Sequence, residues 1–220
     1  MMRLIAPSIL GADFLRLGEA VDLVNEHADL LHVDVMDGIF VPNISFGFPV
    51  MAAVARKARV PLDVHLMIVH PENYLRRFAE AGAGWISFHL EAAEEAGADP
   101  KDLLREIRSY GVKAGLAIDP DVPVARLFPY LEEMDFVLIM TVFAGFGGQK
   151  LVEESYGRIA AVKAEIDRRG LQTVIEADGG IGTGNIDSLA AAGASVFVSG
   201  ASVFNAADPV EVLRQLKGCN

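Results

Sequence analysis

His32 and Asp34 stand two residues apart inside an apolar run, and so do Glu176 and Asp178. His65 and His89 occupy similar runs. Residues i and i+2 of a strand share a face, so each pair points one way. Burying a carboxylate without a partner is costly, which makes these aspartates hard to read as plain core residues. Imidazole and carboxylate together suit a divalent transition ion such as Zn, Mn or Fe. The set His32, Asp34, His65 and Asp178 is therefore expected to hold one such ion. A single histidine in an apolar strand is more often a neutral imidazole satisfied by a hydrogen bond. His89, beside Glu91, reads as a supporting or structural residue rather than a ligand. Glu176 reads as orienting a ligand from deeper in the fold. His27 and His70 read as surface residues, and Asp37-Gly38 as a turn.

A second constellation is backbone. Gly145-Phe146-Gly147-Gly148, Gly179-Gly180 and Gly200-Ala201 each follow an apolar run. Glycine lets backbone N–H groups close on an anion. One such loop is usually only a turn; three at the same end of a fold point to a phosphate. No Lys or Arg lies within them, though Lys150 follows, so backbone dipoles would carry the binding. Met36, Met67 and Met140 close three of the runs: core filler taken singly, or a soft roof over a reacting carbon taken together.

The elements that must position these groups repeat. Apolar runs at Leu4–Leu10, Leu30–Met36, Leu62–Met67, Trp85–Leu90, Lys113–Ile118, Phe136–Val142, Val174–Asp178 and Val196–Ser199 read as strands. They are too continuously apolar for a half-exposed antiparallel sheet and fit parallel strands covered by helices. Amphipathic stretches lie between them: Phe14–His27, Phe48–Ala58, Pro71–Ala81, Pro100–Tyr110, Val122–Leu131, Ser155–Arg169, Gly184–Ala192 and Pro209–Leu216. Glycines 82, 111, 170 and 193 sit where left-handed C-caps belong. Eight units in 220 residues predict a compact (β/α)8 TIM barrel, one domain over 1–220, of about 27 residues per unit. The chemistry then falls where such barrels keep it, at the C-terminal strand ends. A doubly wound sheet is the rival, and no strand-linked G-x-G-x-x-G supports it.

Composition excludes several classes. A net charge of −11 argues against nucleic acid or an anionic membrane as partner. A hydrophobic content of 52% is too high for disorder. No run reaches the ~18 apolar residues of a membrane helix, and the start is too short for a signal peptide. Cys219 is the only cysteine, so no intramolecular disulfide forms and a cytoplasmic location is expected.

The motifs Ala6-Pro7-Ser8-Ile9-Leu10, His32-Val33-Asp34-Val35-Met36-Asp37-Gly38, Val41-Pro42-Asn43 and Leu62-Asp63-Val64-His65-Leu66-Met67 resemble the ribulose-phosphate 3-epimerase family. Gly145-Phe146-Gly147-Gly148-Gln149, Glu176-Ala177-Asp178-Gly179-Gly180 and the Gly200 segment do too, and together they span nearly the whole chain. The resemblance implies a metal-dependent isomerase interconverting D-ribulose 5-phosphate and D-xylulose 5-phosphate. It implies one divalent ion per subunit on His32, Asp34, His65 and Asp178, with Asp34 and Asp178 as the acid/base pair. It also implies sugar contacts from Ser8 and His65, a cap of Met36, Met67 and Met140, and phosphate at 145–148, 179–180 and 200–201. A homo-oligomer is what it leads one to expect. The chain departs from the family at Phe143-Ala144, where a polar residue and a proline are usual, at Ile39 and at Thr141; these bear on substrate choice. A D-allulose 6-phosphate epimerase and a non-catalytic sugar-phosphate-binding barrel are the alternatives. A metal-free decarboxylase would want a Lys and Asp pair ending strand three, and Asp63-Val64-His65-Leu66 lacks the lysine.

Overall fold

A computed structural model describes residues 3–218; Cys219, on which the redox reading rested, lies outside the described residues with Met1, Met2 and Asn220. Eight strands form: β1 Leu4–Ala6, β2 Leu31–Met36, β3 Leu62–Met67, β4 Ala83–His89, β5 Lys113–Ile118, β6 Phe136–Met140, β7 Val174–Asp178 and β8 Val196–Val198. All pair in parallel, in the order β1-β8-β7-β6-β5-β4-β3-β2. A bridge between Ser8 and His32, with the His32 N–H donating to Pro7 O at 3.1 Å, brings the two ends together. The result is the expected (β/α)8 TIM barrel.

Helices α1 Leu17–His27, α2 Phe48–Lys57, α3 Leu75–Glu80, α4 Leu90–Glu95, α5 Pro100–Ser109, α6 Ser155–Arg169, α7 Ile186–Ala192, α8 Ala201–Phe204 and α9 Pro209–Leu216 cover the barrel. Alternation along each strand sends one face to these helices and the other inward. In β2, Leu31, Val33 and Val35 join the helix-facing core, while His32, Asp34 and Met36 face in. The barrel interior is divided. One sector is apolar, filled by Ala6, Trp85, Ala117, Phe136, Leu138 and Val196. Gly115 makes the space for Phe136, since a Cβ there would lie 2.5–2.8 Å from ring atoms. The other sector is polar and buried: His32, Asp34, Asp63, His65, Ser87, His89 and Glu176.

Several elements differ from the sequence reading. The first strand stops at Ala6, because Pro7 has no N–H to give the ladder. Ser8 then caps a 3-10 turn at Ile9–Gly11, its Oγ accepting from Leu10 N at 3.2 Å. The stretch expected as a helix over Val122–Leu131 is a 3-10 segment at Val124–Glu133 with Pro129 inside it; the ring removes an α-type donor. Pro71–Ala81 splits into a 3-10 turn at Pro71–Asn73 and α3. The short helices α4 and α8, one following β4 and one following β8, were not expected.

Candidate metal and sugar-phosphate site

Pairing register brings the candidate ligands together. Asp34 of β2 lies opposite His65 of β3, and Met36 opposite Met67. Asp178 ends β7, beside Met140 of β6. Asp34 Oδ1 lies 3.3 Å from His32 Nε2 and 3.6 Å from His65 Nδ1. Asp178 Oδ2 lies 3.8 Å from the first nitrogen and 3.6 Å from the second. One atom from each of the four residues thus falls within 4.8 Å of the others. His32 Nε2 and His65 Nδ1 are fully buried and have no hydrogen-bond partner. Two buried, unsatisfied nitrogens beside two carboxylates form a donor set that a divalent cation completes, so the residues fit such an ion.

Deeper groups set which nitrogen faces the centre. His32 Nδ1 lies 2.6 Å from Asp63 Oδ2. A proton on Nδ1 satisfies that carboxylate and leaves the Nε2 lone pair facing the centre. Burial opposes the charged form of His32, yet the Asp63 and Asp34 carboxylates outweigh it and raise its pKa well above the usual histidine value. For His65 burial again opposes, and Asp178 and Asp34 raise it. Burial would lift the pKa of Asp34, but His32 and His65 hold it far below the usual carboxylate range. Glu176 goes the other way: burial, and then the charge on Asp63, keep it protonated. That proton is available to Asp63, which the adjacent His32 holds ionised against the effect of burial.

Above the centre opens a cavity of about 800 Å³. Of the residues expected at the site, Ser8, Asp34, Met36, Met67, Met140, Gly145, Phe146, Gly147, Gly148, Asp178, Gly179, Gly180, Gly200 and Ala201 all line it. His32 and His65 do not, because they lie fully buried beneath its floor. Ser8 Oγ donates a short hydrogen bond to Asp34 Oδ2, leaving Oδ1 for the centre. The backbone N–H groups of Gly147, Gly148, Gly180, Gly200 and Ala201 donate to no other described residue. Gly180 has φ +65°, and a Cβ there would lie 2.6 Å from Leu151 N and 2.7 Å from Gln149 O. That close approach requires glycine and ties two of the three glycine loops together.

Sequence reasoning missed Asp63. Its spacing to His65 matches that of His32 to Asp34, which was the available signal. Glu176 Oε1 lies 3.9 Å from His32 Nδ1. His89 is buried against His65, and Asp37 accepts from the N–H groups of Ile39 and Phe40 as a turn residue should. Of the departures expected to bear on substrate choice, Thr141, Ile39 and Ala144 do not line the cavity. Thr141 is buried and donates to the carbonyls of Asp178 and Gly179, fixing the end of β7. Ile39 is solvent-exposed outside the cavity. Phe143 does line it.

Known proteins resemble this chain in sequence and in fold. Residues 4–204 match the profile of the family described as Ribulose-phosphate 3 epimerase. A protein named ribulose-phosphate 3-epimerase from Synechocystis sp. is 45% identical over 210 residues, covering 95% of this chain and 90% of that one. One of the same name from Mycobacterium tuberculosis is 42% identical, covering 97% and 91%. Among solved structures, KGPDC from Streptococcus mutans superposes with a TM-score of 0.74 at 12% identity, over 99% of this chain and 97% of that one; at that identity the likeness concerns the fold.

Proposed function

Given that the chain belongs to the ribulose-phosphate 3-epimerase family and is an isomerase acting on carbohydrates, we propose that it interconverts D-ribulose 5-phosphate and D-xylulose 5-phosphate by inverting C3. The observation that carries the finer reading is the convergence of two orphaned imidazole nitrogens with Asp34 and Asp178 at the floor of the cavity.

Inverting a carbon beside a ketone needs one group to remove a proton and another to return one to the opposite face. Asp34 and Asp178 take these roles, projecting from different strands into one cavity. Ser8, bound to Asp34 Oδ2, orients that carboxylate. Thr141 fixes the backbone of the other. Met36, Met67 and Met140 make an apolar, water-excluding wall around the reacting carbon. The free N–H groups at 147–148, 180 and 200–201 hold the phosphate, and that remote binding energy orients C3 between the carboxylates. His32, Asp34, His65 and Asp178 would hold one divalent ion of Zn, Fe or Mn type. Bound there, such an ion supplies Lewis-acid stabilisation of the charge that develops on the sugar oxygens, worth several kcal/mol.

Phe143, on the cavity wall where the family usually has a polar residue, raises a second reading, D-allulose 6-phosphate as the ketose. After chelation and metal add-back, kcat/KM over a panel of ketose phosphates separates the two: the pentulose phosphate is expected to dominate. Deuterium appearing at C3 in D₂O is the expected signature of catalysis. Binding of the sugar without that exchange would leave only a sugar-phosphate-binding barrel.

A further inference from the structure

Behind His65 lies a line of polar groups that the reaction itself does not use. His89, ending β4, is fully buried. Its Nε2 lies 2.9 Å from His65 Nε2. The ring centroids are 5.0 Å apart with planes inclined by 20°, so the rings meet by their nitrogen corners rather than face on. His89 Nδ1, on the far side, is buried without a hydrogen-bond partner. It points toward Glu91, whose Oε1 is 3.8 Å away and whose Oε2 is also unpartnered. Glu91 Oε1 accepts from the Asp119 N–H at 2.9 Å. Asp119 Oδ1 accepts from Ala144 N at 3.1 Å, and Ala144 belongs to the glycine loop above the cavity.

We propose that His89 and Glu91 are positioning residues for the metal centre, fixing the tautomer of His65 through the chain Glu91–His89–His65. This rests on the reading that His65 ligates an ion. The argument is proton bookkeeping. A neutral imidazole has one N–H and one lone pair. For His65 Nδ1 to offer its lone pair to the centre, its proton must sit on Nε2. That N–H donates to His89 Nε2, which must then be the acceptor, so the His89 proton sits on Nδ1. An Nδ1–H aimed at an anionic carboxylate is the favoured arrangement, and a small rotation of the Glu91 side chain closes the contact. The effect of Glu91 on His89 is thereby passed to His65 as greater basicity at Nδ1. The same carboxylate, through Asp119, is tied to the backbone of the loop that closes the site.

The groups invite one other use. His89, Glu91 and Asp119 could themselves gather around a cation. An ion on His89 Nδ1 would force that histidine's proton onto Nε2, aim it at His65 Nε2, and move the His65 proton onto Nδ1. Two ions at the two centres therefore exclude each other unless a histidine loses both protons. The centre with two carboxylates and two imidazoles has the greater claim.

The test uses Co²⁺ as the probe, with the full-length metal-free protein, chelator competition for Kd and the visible d–d spectrum for coordination. Wild type should bind, and His65→Ala should lose the site. Absence of either result overturns the metal centre, and this chain of residues with it. With both in hand, His89→Phe should weaken binding about 10–100-fold and alter the spectrum, the range expected for removing such a supporting partner. His89→Gln, which keeps an acceptor, should recover most of the loss. A packing role predicts the reverse order, since Phe fills the apolar space beside Phe40 at least as well as Gln. Wild-type affinity in His89→Phe, or no recovery in His89→Gln, overturns the proposal. Should His89→Phe not fold, Glu91→Ala decides: about tenfold weaker binding supports the proposal, and unchanged Kd overturns it. In the Zn²⁺-loaded wild type, ¹⁵N NMR should find the His89 proton on Nδ1; a proton on Nε2 is incompatible with the proposal.

Discussion

Replacing Asp178 with Asn tests the two-carboxylate assignment because it preserves shape and removes charge and proton exchange together. Asp178 Oδ2 lies 3.8 Å from His32 Nε2 and 3.6 Å from His65 Nδ1, so the amide fits where the carboxylate was. Thr141 still holds the backbone through its bonds to the carbonyls of Asp178 and Gly179. The fold should survive. The variant forfeits the acid/base contribution, about 10²–10⁴ in rate, or about 2.7–5.4 kcal/mol at 1.36 kcal/mol per tenfold. Weaker metal binding adds to this unless the ion is saturating, so the assay is run with added metal and loading is verified. Turnover should fall by at least a hundredfold. The more telling readout is isotope exchange. Asp34 remains, with Ser8 still on Oδ2, and can still take the C3 proton from the one epimer whose C3–H faces it. In D₂O, the Asp178→Asn enzyme should wash deuterium into that epimer without producing the other. Asp34→Asn should do the same for the opposite epimer. Near wild-type turnover in either variant, or washout from both epimers in one of them, would refute the assignment of one carboxylate to each face.

Asp63→Asn should lower metal affinity about 10–100-fold by removing the charged acceptor 2.6 Å from His32 Nδ1, with the cavity walls unchanged; chelator competition measures it. Metal binding should release protons, because the free protein holds His32 and His65 with raised pKa values while a ligand must be neutral. Affinity therefore climbs with pH until those raised values are passed and is lost as pH falls below them; calorimetry in two buffers of different ionisation enthalpy reads the proton count. Gly180→Ala, blocked by Leu151 N and Gln149 O and strained at φ +65°, should raise KM at least tenfold and weaken inorganic phosphate as a competitive inhibitor, while Co²⁺ affinity stays near wild type.

Local information was enough for much of the architecture. Strand period and helix period, read together, predict eight strand-helix units, and parallel strands sheathed by helices follow from runs that are apolar on both faces. The spacing of His32 to Asp34 fixes a shared face whatever the fold, because alternation along a strand is a backbone property. Local rules also failed where a proline or a short element intervened. Pro7 ended the first strand early, Pro129 tightened a helix into 3-10 turns, and four residues at Ala201–Phe204 were too few to leave a periodic signal.

What the sequence could not decide is which buried face is the inside of the barrel. Leu31 and His32 are both fully buried, yet one packs on helices and the other faces the candidate metal site. Only ring closure and strand register separate them. Register also places Asp63 opposite His32 and Asp34 opposite His65, and it lays His89 against His65 and turns Thr141 toward β7 rather than the cavity. The one-dimensional pattern supplied the ligand types and their faces. Their convergence is set by contacts between residues dozens of positions apart, which no local spacing encodes.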